Sequence, residues 1–148
     1  MRRLFALILC AGWPSFCAEA GPGLLNSTIE QVAAILGKPA RQDAGKVGEM
    51  DYERSYFETS GWKTAVLFLQ GKAQKFETEK SDGSAITEEE AKAIFGRYDV
   101  PDTTQNAEVH GWRQISENHF IRGDGRVHII KRPNSVTVFW DDLPRDFW

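Results

Sequence analysis

Ser27-Thr-Ile-Glu-Gln-Val-Ala-Ala-Ile-Leu-Gly37 is the stretch that organises the chain, because Thr87-Glu-Glu-Glu-Ala-Lys-Ala-Ile-Phe-Gly96 repeats it at an offset of 59 residues. At that offset Thr28 falls on Thr87, Glu30 on Glu89, Ala34 on Ala93, Ile35 on Ile94 and Gly37 on Gly96. In the first copy Ile29, Val32, Ala33 and Leu36 recur at i, i+3, i+4 and i+7, so they share one face of a helix. Ser27 and Glu30 have the spacing of a capping box, and Gly37 with Pro39 ends the helix. In the second copy Thr87 and Glu90 form the box, Ile86 is placed to staple onto Ala91, and Ala91, Ile94, Phe95 and Tyr98 form the apolar stripe. A cap contributes about 1 kcal/mol. Helices of about ten residues are marginal in water, so both need a sheet to lie on.

The segments after each helix supply it. Gly37 to Gly48 is polar and glycine-rich and is expected to be a loop. Met50 to Phe57 is a strand with Tyr52 and Tyr56 on one face. Trp62 to Leu69 is apolar on both faces, as an interior strand is. Ala73 to Lys80 alternates Lys and Glu with other residues and is expected at an exposed or edge position. In the second half, Asp99 to His110 is polar and reads as a loop, and Trp112 to Arg122 reads as one strand weakened at Ser116-Glu-Asn118. Gly123-Asp-Gly125 turns the chain into Arg126 to Lys131. A two-residue loop at Pro133-Asn134 then leads into Ser135 to Trp140. That loop sets Ile129 opposite Val138 and Val127 opposite Trp140, so Val127, Ile129, Val136, Val138 and Trp140 share the expected core face. The expected fold class is α+β: two αβββ repeats, helices packed on an antiparallel sheet. The alternative is a cystatin-like wrap with the second helix as an insertion.

Met1-Arg-Arg-Leu-Phe-Ala-Leu-Ile-Leu-Cys10 has a basic start and a short apolar run, and Ala18-Glu-Ala20 supplies the small residues of a cleavage site. Residues 1–20 therefore read as a secretory signal peptide, residues 21–86 as the first repeat and 87–148 as the second, together one compact domain. The apolar run is too short to span a bilayer, which takes roughly 20 residues. Cys10 follows Leu9 and Cys17 follows Phe16, where a lipid-attachment motif wants a small residue. Beyond residue 20 the chain has no cysteine, so disulfides and thiol chemistry are excluded there. Sixteen basic against twenty acidic residues remain, without a Lys/Arg cluster, which argues against nucleic acid as a partner. No membrane span is expected after cleavage, and the localisation expected is exported, periplasmic or secreted.

Thr28-Ile-Glu-Gln-Val32, Leu36-Gly-Lys-Pro39, Tyr52 and Ala65-Val-Leu-Phe-Leu-Gln-Gly-Lys-Ala73 resemble the pattern of the SmpA/OmlA outer-membrane-assembly lipoproteins, over residues 28–80. The tandem helix-plus-sheet order is similar to the secreted β-lactamase inhibitor proteins, which carry disulfides that residues 21–148 lack. These resemblances imply a non-catalytic protein-interaction or envelope-assembly module whose partner is another exported or envelope protein. They carry no binding residue across.

Catalytic and metal constellations are sparse. His110, His119 and His128 lie nine residues apart. A hairpin loop at Gly123-Asp124 would place His119 opposite His128, where two imidazoles and a carboxylate could hold zinc. A loop at Asp124-Gly125 pairs His128 with Ile121 instead and is expected to separate the two rings. Glu88 to Glu90 sit in a helical first turn, where the helix dipole accounts for them. Ser55, Ser60, Ser84, Ser116 and Ser135 lack a nucleophile elbow. No catalytic residue, metal site or cofactor is assigned. Aromatic residues are enriched at binding hot spots, so Tyr52, Tyr56, Trp62 and Trp112 are the candidate binding residues, and Phe147 with Trp148 are expected to dock back on the domain. The alternative functions are a small periplasmic hydrolase using His119 or His128 with Asp124 or Asp142, and a small-ligand-binding domain.

Overall fold

The computed structural model describes residues 24–98 and 111–148. The expected signal segment 1–20 with Cys10 and Cys17, the expected loop from Asp99 to His110, and His110 itself lie outside the described residues. Helix α1 (Ile29–Leu36) is followed by β1 (Arg41–Val47), β2 (Met50–Thr59), β3 (Trp62–Leu69) and β4 (Lys72–Lys80). Helix α2 (Glu88–Tyr98) is followed by β5 (Trp112–Ser116), β6 (His119–Arg122), β7 (Val127–Lys131), β8 (Ser135–Trp140) and a 3-10 turn, Arg145–Phe147. All eight strands form one antiparallel sheet in the order β1-β2-β3-β4-β8-β7-β6-β5. The last strands of the two halves meet at its centre.

The expected α+β arrangement of two αβββ repeats does not hold. The protein is mostly β, a single eight-stranded sheet, and its two α-helices in the described residues span only eight and eleven residues. Contacts between helices and strands are few beside those between strands. Each half has four strands rather than three, for different reasons. In the first half, Arg41–Val47 is a strand, not a loop. As an edge strand it is solvated on both faces, so no apolar alternation marks it. In the second half, Trp112 to Arg122 is a hairpin, with Ser116 paired to His119 and the weak Glu117-Asn118 as its turn.

Strand β4 is likewise at the centre, between β3 and β8, rather than at an edge. Its alternation records one buried and one solvated face. Ala73, Phe76 and Thr78 are buried while Glu77 and Glu79 are exposed. A bulge that leaves Gln74 unpaired keeps Ala73 and Phe76 on the same face. The β2–β3 and β3–β4 hairpins turn on Ser60-Gly61 and Gln70-Gly71. Both residues of each pair have positive φ, as two-residue hairpins following the strand twist require.

One face of the sheet carries the main core. Phe57, Val66, Phe68, Phe76, Val127, Ile129, Val136 and Val138 join Val32 and Leu36 of α1 and Ala91, Ile94 and Tyr98 of α2. The expected register is met, Ile129 opposite Val138 and Val127 opposite Trp140. Fully burying a Val, Leu, Ile or Phe side chain is worth about 1.5–3 kcal/mol, so this face supplies most of the stability.

The helix ends are tied down by specific bonds. The Thr87–Glu90 box is present. In α1 the box is one residue later than expected: Thr28 is the cap, with Gln31 as its reciprocal partner. Two hydroxyl residues stand side by side at 27 and 28, and Thr28, with extended backbone, takes the role. Backbone bonds between Asn26 and Ala73, and between Ala73 and Ser27, fix the approach to α1 on β4. The Thr59 hydroxyl donates to the Leu36 carbonyl at its far end, 2.6 Å. At the far end of α2, the buried Arg122 guanidinium donates to the Tyr98 carbonyl (2.8 Å) and forms a two-pronged pair with Asp124 (2.9 and 2.7 Å).

Candidate functional site

The second face of the sheet points away from the helices, and alternation along the strands determines what it carries. From β2 it takes Tyr52, Arg54, Tyr56 and Glu58; from β3, Lys63, Ala65, Leu67 and Leu69; from β4, Lys75, Glu77 and Glu79. Over β2, β3 and β4 this face is a groove of about 380 Å³, bounded by Arg54, Tyr56, Glu58, Lys63 and the Lys75–Glu79 row. The Arg41 guanidinium lies 3.9 Å from the centre of the Tyr56 ring, and that of Arg54 lies 5.6 Å from Tyr52. Both distances suit cation–π attraction. Tyr52, Arg54 and Tyr56 stand on the paired interior strand β2, so their positions are held by the backbone ladder, while Arg41 reaches Tyr56 from the edge strand β1.

The neighbouring part of this face is covered. Residues 141–148 fold back across β3, β8, β7 and β6, with Leu143 and Phe147 buried against Leu67, Leu69 and Phe139. Phe147 meets Tyr52 edge-on at 5.8 Å, and the Lys75 ammonium donates to its carbonyl at 2.9 Å. Burial pulls the Lys75 pKa down, against the opposing pull of Glu77, with Arg54 and Arg132 adding to the lowering. The Trp148 ring stands 4.9 Å from Phe139, 5.5 Å from His128 and 6.3 Å from His119. Its indole donates to the Leu143 carbonyl. The expected docking of Phe147 and Trp148 is thus present.

Beneath Trp148 the two imidazoles are joined. The turn is at Asp124-Gly125, which pairs His128 with Ile121 and His119 with Ile130. This register does not separate the rings, contrary to expectation. It makes them diagonal neighbours on one face, and diagonal pairs are within reach of long side chains. His119 Nε2 lies 2.7 Å from His128 Nδ1, and His128 Nε2 lies 2.7 Å from Asp141 Oδ1. Burial, then the charge of His128, lowers the His119 pKa. Asp124 belongs to the opposite side of the sheet, with Arg122. Asp141, not Asp142 or Asp124, is the carboxylate at the imidazoles. Both nitrogens of His128 are engaged, one by a carboxylate and the other by a second imidazole. A hydrolytic triad instead directs the second nitrogen at a nucleophile.

Of the four candidate binding aromatics, Tyr52 and Tyr56 stand together on this face. Trp62 and Trp112 are on the other. Trp62 is buried in the main core, and Trp112 packs edge-on to Phe95 and donates its indole N–H to the Phe95 carbonyl. Arg54 and Lys75 are groove residues that sequence reasoning missed, as is Arg41, which packs on Tyr56 from β1. The signal available was period two: Arg54 lies midway between the two tyrosines on the same strand face.

Among the described residues no group of three or more His, Cys, Asp or Glu is arranged to hold a metal ion, and no helix is long and apolar enough to cross a membrane. No family model, curated protein or solved structure matches the chain.

Proposed function

We propose that the protein is an exported, non-catalytic module that binds another exported or envelope protein through the groove on β2, β3 and β4. The observation that carries this reading is the contrast between the two faces of those strands. One face is sealed into the core. The other presents Tyr56, Arg54, Lys63 and the acidic residues Glu58, Glu77 and Glu79 on a rigid, unroofed surface. Tyrosine and arginine are enriched at protein interfaces and carry much of their energy. Alternating cations and carboxylates favour a partner with matched charges of both signs. The resemblance to the outer-membrane-assembly lipoproteins spans residues 28–80, the same half that builds the groove.

In this reading Tyr56 is the contact tyrosine, Tyr52 packs against Phe147 beside the groove, and Trp62 and Trp112 hold the scaffold from the core side. A hydrolase built on His119 and His128 finds less support, because both nitrogens of His128 are occupied. A small-ligand carrier also finds less. The groove is within the volume range of ligand pockets, roughly 300–1,000 Å³, but half of its twelve lining residues are charged (Arg54, Glu58, Lys63, Lys75, Glu77 and Glu79).

The test is capture from the exported fraction of the source organism with three baits. These are the wild type, a Tyr56→Ala/Arg54→Glu double variant, and a Lys92→Glu variant on exposed α2 surface. The reading expects a protein recovered by the wild type and Lys92→Glu baits and lost from the double variant. Equal recovery by all three would refute the groove as the interface.

A further inference from the structure

The imidazole chain has no part in the groove reading, yet it sits where residues 141–148 are fastened to the sheet. Proton counting fixes the direction of its bonds. Ionised Asp141 only accepts, so His128 donates Nε2–H to it. A neutral imidazole has one N–H, which leaves a lone pair on His128 Nδ1. The 2.7 Å contact is then an N–H donated by His119 Nε2. With nitrogens 2.7 Å apart and ring centroids 4.9 Å apart, the rings lie end to end along the N···N line. That is hydrogen-bond geometry, not two lone pairs converging on a third atom.

One added proton leaves the link intact. Placed on the far nitrogen of His119, it strengthens the existing donor. Placed on His128 Nδ1, it reverses the bond once the His119 proton has moved from Nε2 to Nδ1, and His119 Nε2 then accepts. A second proton leaves two N–H groups and two positive charges facing each other at hydrogen-bond distance, with no acceptor between them. Packing around His128 and over His119 resists separation of the rings where they are. Phe139 is stacked on His128 at 5.2 Å with an interplanar angle of 18°, and Trp148 closes over both imidazoles.

The charged groups near the pair do not remove this conflict. Asp141 already holds His128. Across the adjoining strands, Lys75 lies opposite Phe139 and Arg113 opposite Ile121, and both are cations. Within the segment, the Arg145 guanidinium lies 5.1 Å from the Trp148 ring, and Asp142 and Asp146 are exposed. The lowered His119 pKa agrees in sign. The docked state favours neutral His119, so its advantage is held above the ordinary histidine value, about 6.5, and is lost as pH falls below it.

We infer that residues 141–148 are a pH-operated cover on this face of the sheet, closed while the His119–His128 pair carries at most one positive charge and released when it carries two. Release uncovers Phe139, Ile130 and Tyr52 and frees the Lys75 ammonium from the Phe147 carbonyl. The exposed strip then runs on into the β2–β4 groove. That the released face serves a partner rests on the reading above; that the cover opens does not.

The experiment is nuclear magnetic resonance on the full chain between pH 7.5 and 4, without a partner. It follows the two imidazole Cε1–H shifts, the proton contacts from the Trp148 ring to those of His128 and Phe139, and amide protection. The expected result is loss of the Trp148 contacts in step with the second imidazole protonation. Protection at the Phe147 and Trp148 amides falls at least tenfold, while amides of β3 and β4 stay protected. His119→Gln supplies a side chain that can donate or accept but cannot gain a proton, and it is expected to keep the contacts down to pH 4. Three results would overturn the inference: wild-type contacts surviving with both imidazoles protonated, His119→Gln losing them at the wild-type pH, or core amides losing protection together with the segment. A cover that opens without any captured partner leaves the device standing and the binding reading refuted, so the two fail separately.

Discussion

Asp124→Ala should cost this protein about 3 kcal/mol, and the structure supplies the reason. The Arg122 side chain is 5% exposed and that of Asp124 18%. Asp124 takes two charge-assisted bonds from the guanidinium and a third from the Arg126 backbone N–H at 3.0 Å. Without it, the buried guanidinium keeps, among the described residues, its bond to the Tyr98 carbonyl. Breaking a buried pair by removing one partner costs about 3–5 kcal/mol. The low end applies here because the Asp124 side is partly open and water can enter. Replacing both charges, Arg122→Met with Asp124→Ala, should cost less than the sum of the single changes, since no uncompensated charge remains. Urea denaturation reads both. Burial would raise the Asp124 carboxyl pKa, but the Arg122 hydrogen bond, the Arg126 backbone bond and both arginine charges outweigh it and hold the pKa below the usual carboxylate range. The wild type's advantage over Asp124→Ala should therefore be full above about pH 4 and shrink as pH falls through the lowered value. A cost below about 1 kcal/mol at pH 7, or an advantage that grows in acid, would refute the argument.

Three further outcomes follow from the packing. Phe68→Ala, at a fully buried position of the main core, should lose about 3–5 kcal/mol, whereas Ile115→Ser, at a half-exposed bulge, should stay within about 0.5 kcal/mol of wild type in the same urea titration. Thr28→Ala should cost about 1 kcal/mol and Ser27→Ala clearly less, because Thr28 is the α1 cap; equal costs would contradict the observed box. Trp148→Ala removes the ring above the imidazoles, so the His119 titration should move up toward the ordinary histidine value in a resonance-monitored pH series.

Much of the local structure was legible in the sequence where the chain alternates between a buried and a solvated face. Ile129 opposite Val138 follows from the Pro133-Asn134 loop alone, and the Thr87–Glu90 box from spacing. Legibility failed where a strand lacks a buried face. Arg41–Val47 has no apolar periodicity and reaches a core cluster through the partly buried Val47, and its pairing with β2 makes it a strand. It failed again at β4, because Lys–Glu alternation describes both an edge strand and a central strand with one open face, and only the long-range β4–β8 pairing decides. The imidazole link was missed because directly opposed positions were considered and diagonal ones were not. The engagement of His128 by Asp141 spans a strand end that no local pattern connects. Tyr52 and Tyr56 were placed together because two residues of one strand, four apart, must share a face. Trp62 and Trp112 each follow a glycine at a strand start, a position equally suited to a rim or a core edge; Trp62 is buried in the main core and Trp112 is partly buried against Phe95 of α2.

The open groove is the claim on which the functional account stands, and a photo-crosslinking amino acid at position 56 tests it most directly. Introduced there and, separately, at position 92 of α2, it should give a covalent adduct with an exported or envelope protein from 56 and none from 92. Adducts from 92 with none from 56 would place the contact on the opposite side of the molecule and contradict the account.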